Sequence, residues 1–165
     1  MTPSEFISLI KKDLNYQPTP EQEHVLTVFS QFLADRNPHS VMVLRGSAGT
    51  GKTTLAAAMV STLHRLGQKL TLMAPTGRAA KVFSLHAYTI HRRIYREKNY
   101  TGIGGIFNLN DNRYHRMLFV VDEASMIGSR PTAGDITFGT ASLLDDLIQY
   151  VYSGDGCRLL LIGDN

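Results

Sequence analysis

An α/β fold, a parallel sheet with helices on both faces, is what this chain of 165 residues predicts. Short apolar runs at 41–44, 70–74, 118–121 and 159–162 have the length and unbroken hydrophobicity of strands buried on both faces. Helical stretches separate them, at about 52–66, 77–85, 89–97 and 141–152. Strands that alternate with helices need crossover connections, and crossovers lay helices on both faces of a parallel sheet. The third observation is Gly46-Ser47-Ala48-Gly49-Thr50-Gly51-Lys52-Thr53, a full G-x-x-x-x-G-K-T loop between the first strand and the helix that follows it. That is the setting in which the string carries meaning.

Taken in order, residues 3–14 read as a short amphipathic helix, followed by a break at 15–18. A second helix opens with Thr19 as N-cap, Pro20 at the first helical position and Gln22 at the third. Val25, Leu26, Phe29, Phe32 and Leu33 continue it with helical periodicity. Residues 1–18 are therefore set apart as an N-terminal helix and linker, and 19–165 as the nucleotide-binding unit. The stretches 98–116 and 128–140 are rich in Gly, Asn, Asp and Thr and read as loops or insertions. The fourth strand ends in Leu161-Ile162-Gly163-Asp164-Asn165, where the sequence stops. A strand tip is an unusual terminus, so the chain is expected to be a piece of a longer protein.

Composition narrows the class without deciding the partner. Hydrophobic residues make up 43% of the chain, enough for a core. Seventeen basic residues against 14 acidic ones give a net charge of +3, which permits a nucleic-acid partner without requiring one. The single cysteine, Cys157, excludes an internal disulfide framework and fits a reducing compartment; in its Gly-Asp-Gly-Cys turn it reads as a structural thiol. No apolar run approaches the roughly 20 residues of a membrane span, and no signal-peptide core is evident at the N-terminus. A cytoplasmic location with no membrane partner is expected.

The loop dictates phosphate chemistry. Its glycines let the backbone turn tightly, so that successive N–H groups face one polyphosphate, and the following helix adds the positive end of its dipole. Gly46, Ser47, Ala48, Gly49, Thr50, Gly51, Lys52, Thr53 and Thr54 are the candidate contacts to ATP. Lys52 would reach the β- and γ-phosphates, and the Thr53 hydroxyl would bind Mg²⁺. Phe119-Val120-Val121-Asp122-Glu123 puts two carboxylates at a strand C-terminus, where open α/β sheets carry their sites. Asp122 is placed to hold Mg²⁺ and Glu123 to orient and activate the attacking water. Lys52 and Glu123 are the candidate catalytic residues for phosphoryl transfer to water.

Further strings resemble superfamily 1 DNA helicases of the RecD and phage Dda type. Leu72-Met73-Ala74-Pro75-Thr76-Gly77-Arg78-Ala79-Ala80-Lys81 is similar to their motif Ia, and Thr89-Ile90-His91 to the string that follows it. Val121-Asp122-Glu123-Ala124-Ser125-Met126 resembles motif II, and Leu161-Ile162-Gly163-Asp164-Asn165 the opening of motif III. The resemblance spans about 18–165, with five motifs in family order. It implies a RecA-like ATPase lobe that couples ATP hydrolysis to movement on single-stranded DNA together with a second such lobe.

By that resemblance Gln22 would contact adenine, although Thr19-x-x-Gln22 is also a capping box whose side chain reaches back to its own cap. Pro75, Thr76, Gly77, Arg78, Thr89 and His91 would face nucleic acid. The alternative for Pro75 to Arg78 is a plain helix N-terminus with an exposed Arg. From His86 to Lys98, basic and aromatic residues interleave as in base-stacking surfaces, yet Ile90, Ile94 and Tyr88 or Tyr95 also fit a buried stripe. Arg92 and Arg93 read as a solvated face. Asp164 would belong to motif III, or be an ordinary strand-end Asp.

The motifs that would supply an arginine finger are absent, so the isolated chain is expected to hydrolyse ATP very weakly. The 128–140 insertion carries no legible chemistry. A stand-alone P-loop NTPase switch is the competing reading. The resemblance also implies a strand order, with 159–162 between 41–44 and 118–121, 70–74 outside, and 41–44 left as an apolar edge.

Overall fold

The computed structural model describes residues 2–46, 51–75, 87–97, 107–127 and 143–163. Two threonine-capped helices come first. In α1 (Pro3–Asp13) the Thr2 hydroxyl accepts from the Glu5 N–H at 3.2 Å, and the Glu5 carboxylate accepts from the Thr2 N–H. In α2 (Pro20–Ala34) Thr19 does the same with Gln22. Pro stands at the start of both, where its missing N–H has no helical partner to lose.

β1 (Val41–Arg45) then leads through the phosphate loop into α3 (Lys52–Arg65), and β2 (Leu70–Ala74) follows. The next elements are short: β3 (Ala87–Thr89), α4 (Ile90–Ile94), β4 (Tyr95–Glu97) and β5 (Phe107–Leu109). β6 (Leu118–Val121), a 3-10 turn at Ala124–Met126, α5 (Leu143–Tyr152) and β7 (Arg158–Gly163) complete the described elements.

The sheet has the order β1-β7-β6-β2-β3, and every pairing in it is parallel. β7 lies between β1 and β6, as the helicase resemblance implies. Side chains alternate between two cores. Met42, Leu44, Leu72, Val120, Leu160 and Ile162 join α1, α2 and α3 on one face. Met73, Phe119, Val121 and Leu159 meet Ile90 and Ile94 of α4 and Leu147, Tyr150 and Val151 of α5 on the other. Residues 1–18, set apart in the sequence, supply Phe6, Ile10 and Leu14 to the first core. The buried Thr62 hydroxyl donates to Asp13 at 2.7 Å, and Arg65 pairs with the same carboxylate, so α1 is tied to α3. β1 stands at one end of the described sheet with Val41 and Val43 exposed.

Four sequence expectations need correction here. The helix expected over 89–97 is confined to Ile90–Ile94. Before it, β3 pairs with β2 and adds a fifth strand to the four read from the sequence. After it, Tyr95–Glu97 pairs antiparallel with Phe107–Leu109, so part of the stretch read as a loop is strand. Three-residue strands are too short to show a period, whereas the apolar spacing of Ile90 and Ile94 imitates a longer helix. The fourth correction is Arg93, whose guanidinium stacks over Tyr88 at 4.3 Å and Tyr114 at 5.1 Å and donates to Thr71. It is a packed cation, while Arg92 is exposed as expected. The helix expected over 77–85 and the 128–140 insertion lie outside the described residues.

Candidate nucleotide-binding site

The sheet carries its candidate site at the C-terminal ends of β1, β7 and β6. Each α-helix whose cap side chain is described as bonded, namely α1, α2 and α4, is closed by a threonine hydroxyl. α3 differs. Its N-cap is Gly51, in the left-handed conformation at φ 78°, with no side-chain cap and no acidic residue in the first turn. A helix of fourteen residues therefore presents its first N–H groups and positive dipole end with, among the described residues, no side-chain cap on them. Thr53 and Thr54 are exposed on that first turn.

Lys52 points back across the sheet end. Its ammonium donates to the Gly46 carbonyl at 3.0 Å and to the Gly163 carbonyl at 2.8 Å. The Gly163 carbonyl also accepts from the Gly46 N–H at 3.3 Å, so β1 and β7 are closed together under the lysine. Ser47, Ala48, Gly49, Thr50 and Asp164 lie outside the described residues.

The two carboxylates follow β6. The Asp122 N–H donates to the Met73 carbonyl at 2.9 Å, which continues the β2–β6 ladder one residue further. Asp122 Oδ1 accepts from the Glu123 N–H at 2.8 Å. Glu123 takes φ 53° and ψ 40°, a left-handed backbone that a residue with a side chain adopts at a cost. The turn at 124–126 then reverses the chain, with Met126 N–H bonded to the Glu123 carbonyl. Because β7 separates β1 from β6, Gly163 stands between the lysine and this acidic turn. A Cβ at Gly163 would lie 3.0 Å from the Ser125 N atom. Only a bare α-carbon lets the turn sit this close. Gly163 is a site residue that the sequence marks only by the Gly-Asp pair ending an apolar strand.

Gln22 reaches this end of the sheet from α2. Its Oε1 accepts from the Thr19 N–H at 3.0 Å, so the capping box of the sequence is formed. Its Nε2 nevertheless lies against Gly51, 2.8 Å from where a Cβ would stand. The cap therefore does not remove the amide from the loop; it aims it there.

The AAA domain family matches residues 19–165. The chain belongs to that family.

Curated relatives of this AAA domain include the ATP-dependent RecD2 DNA helicase of Deinococcus radiodurans, 33% identical over 130 residues that cover 76% of this chain and 16% of the relative. The RecBCD enzyme subunit RecD of Mycobacterium tuberculosis is 28% identical, covering 75% of this chain and 23% of that one. This AAA domain thus spans less than a quarter of the length of these relatives. Among solved structures, Bacteroides Pif1 bound to single-stranded DNA superposes with a TM-score of 0.52 at 20% identity, covering 91% of this chain and 32% of that chain. Pif1 helicase from Candida albicans gives 0.51 at 18%, over 90% and 33%. These likenesses establish the shared RecA-like fold.

The residues expected to face nucleic acid divide in this AAA domain. Pro75 lies just past β2, while Thr76, Gly77 and Arg78 fall outside the described residues. Thr89 is the N-cap of α4: its hydroxyl accepts from the Arg92 N–H at 3.3 Å. His91 is half-buried beside the Tyr95 ring, at 5.7 Å between centroids. Burial lowers its pKa below the ordinary value of 6.5, so it offers a neutral ring at pH 7 and no cation for a phosphate. Ile90 and Ile94 are fully buried, as the stripe reading has it. Cys157 is buried as well, with its thiol donating to the Tyr114 carbonyl, a structural thiol as expected.

Proposed function

We propose that this AAA domain is the ATP-binding lobe of an ATP-dependent DNA helicase. The observation that carries the nucleotide part is the uncapped N-terminus of α3, with the Lys52 ammonium resting on two backbone carbonyls. Carbonyl oxygens are neutral acceptors, which an anionic phosphate displaces readily from an ammonium. The residues fit a nucleoside triphosphate: N–H groups for its phosphates, Lys52 for its charge, and carboxylates one strand away. Thr53 and Asp122 would hold Mg²⁺, which would neutralise phosphate charge. Glu123, on its strained turn, would orient the attacking water and hold its proton. Lys52 would move from the Gly163 carbonyl to the phosphate, so the tip of β7 would lose a bond when nucleotide arrives.

The DNA part draws on the named relatives, RecD2 and RecD, and on the Pif1 structure that contains single-stranded DNA. Pro75, Thr76, Gly77, Arg78, Thr89 and His91 remain the proposed nucleic-acid segment, with Thr89 acting through the α4 cap. A second RecA-like lobe is the proposed partner that completes the ATP site. In this reading the protein works in a reducing cytoplasm.

The test is equilibrium binding of Mg·ATP and of single-stranded DNA to the chain. Lys52→Ala should abolish the first, and the second should weaken steeply with salt. Nucleotide binding with no affinity for single-stranded DNA at low salt would favour the stand-alone NTPase switch.

A further inference from the structure

Among the described residues, two side chains lie against Gly51, those of Gln22 and Tyr16. A Cβ placed there would lie 2.8 Å from Gln22 Nε2 and 3.5 Å from the Tyr16 hydroxyl. Gln22 is nearly buried and fixed by its cap. Tyr16 is 40% exposed although its hydroxyl reaches the first residue before α3. A single exposed tyrosine needs no explanation by itself. One whose hydroxyl lies beside the residue that opens α3, with two-fifths of the residue left to solvent, is placed to meet a ligand.

Its position is also constrained on both sides. Leu14 is buried in the first core, behind the tie that Asp13 makes to Thr62 and Arg65 of α3. Thr19 is held by the reciprocal cap with Gln22. Tyr16 thus lies on a short segment anchored at both ends to the elements that frame the phosphate site, so little ordering remains to be done on binding.

We propose that Tyr16 is the base-stacking residue of the nucleotide site. Its ring takes one face of the purine of a nucleoside triphosphate whose phosphates lie at the N-terminus of α3, beside the Gln22 amide. A nucleobase offers an apolar π-face of the kind that tyrosine rings cover in water, whatever its hydrogen-bonding edge. The inference rests on the nucleotide reading above and adds to it the residue that would make the site read a base as well as phosphates.

Dissociation constants for Mg·ATP and for Mg-tripolyphosphate, which carries the phosphates without a base, test it on the wild-type chain, Tyr16→Ala and Tyr16→Phe. The wild type should prefer Mg·ATP. Tyr16→Ala should weaken Mg·ATP about tenfold and leave tripolyphosphate unchanged, and Tyr16→Phe should bind as the wild type does. Equal weakening of both ligands, weakening of neither, or a Phe variant as poor as Ala would overturn the proposal. A wild-type chain that binds neither ligand would instead overturn the nucleotide reading itself. Thermal melts of each variant separate loss of binding from loss of fold.

Discussion

Lys52 and Gly163 are 111 residues apart in sequence, and the lysine ammonium donates to the glycine carbonyl at 2.8 Å. The same glycine leaves room for the Ser125 backbone, at 3.0 Å from an imagined Cβ. Gly163 therefore touches both halves of the proposed chemistry, the cation on one side and the acidic turn on the other. Gly163→Ala keeps the carbonyl but pushes that turn by a few tenths of an ångström. Mg·ATP affinity should be retained, while ATP turnover in the full-length protein falls about tenfold. Equal turnover in the two proteins would show that the close approach has no catalytic consequence.

Glu123 combines a proposed proton acceptor with a left-handed backbone. Glu123→Gln should bind Mg·ATP normally and, in the full-length protein, lose turnover. Glu123→Gly should lose turnover too, yet melt about 1–3 °C higher, because glycine relieves most of the left-handed cost. A lower melting temperature for the glycine variant would mean that the carboxylate side chain itself stabilises the turn.

Thr89 holds the first turn of α4 through its hydroxyl. Thr89→Ala should cost about 1 kcal/mol, or about 2–4 °C in the thermal midpoint, whereas Thr89→Ser should melt near the wild type. Affinity for single-stranded DNA measured on Thr89→Ser then reports contact separately from capping. If serine and alanine are equally destabilised, the methyl group and not the cap is what matters.

His91 is half-buried, and desolvation lowers its pKa from 6.5. The folded state thus prefers the neutral ring, while the unfolded chain takes up a proton just below pH 6.5. Stability from this group is present above that pH and is lost as the pH falls. The wild-type melting temperature should drop more steeply between pH 7 and 5 than that of His91→Gln. Parallel profiles would remove His91 as the cause.

The Tyr95 hydroxyl donates to Asp146 at 2.6 Å, and Asp146 is 1% exposed. Burial, with the Asp146 carboxylate beside it, holds the phenol well above its ordinary pKa of 10.0. The fold keeps a proton that the unfolded chain releases, so stability is full below pH 10 and falls above it. Tyr95→Phe removes a donor to a buried carboxylate and should cost about 1–3 kcal/mol near neutral pH. Its melting temperature should also decline less than that of the wild type above pH 10. Identical alkaline profiles would assign the decline to other groups, Tyr150 and Tyr152 among them.

The sequence by itself determined the fold class, the buried strands and the phosphate loop, because each is written locally. An unbroken apolar run marks a strand buried on both faces, and Gly-Lys-Thr between a strand and a helix marks an anion seat. Thr19, Pro20 and Gln22 announced α2 for the same reason: a cap involves residues three apart. The strand order followed from the motifs of the resemblance, since no local pattern states which strands are neighbours.

What only the tertiary structure decided involves residues far apart in the chain. Arg93 reads as a surface cation, and Tyr88, Tyr114 and Thr71 gather from three segments to pack against it. β3, β4 and β5 exist because neighbours supply their hydrogen bonds, at lengths too short for any periodicity to show. Tyr16 carries no sequence signal of a role, and the Gly-Asp pair at Gly163 marks a strand end without saying what the glycine touches. Each acquires its role from a contact that appears only when the segment before α2, the start of α3 and the end of β7 converge on the same edge of the sheet.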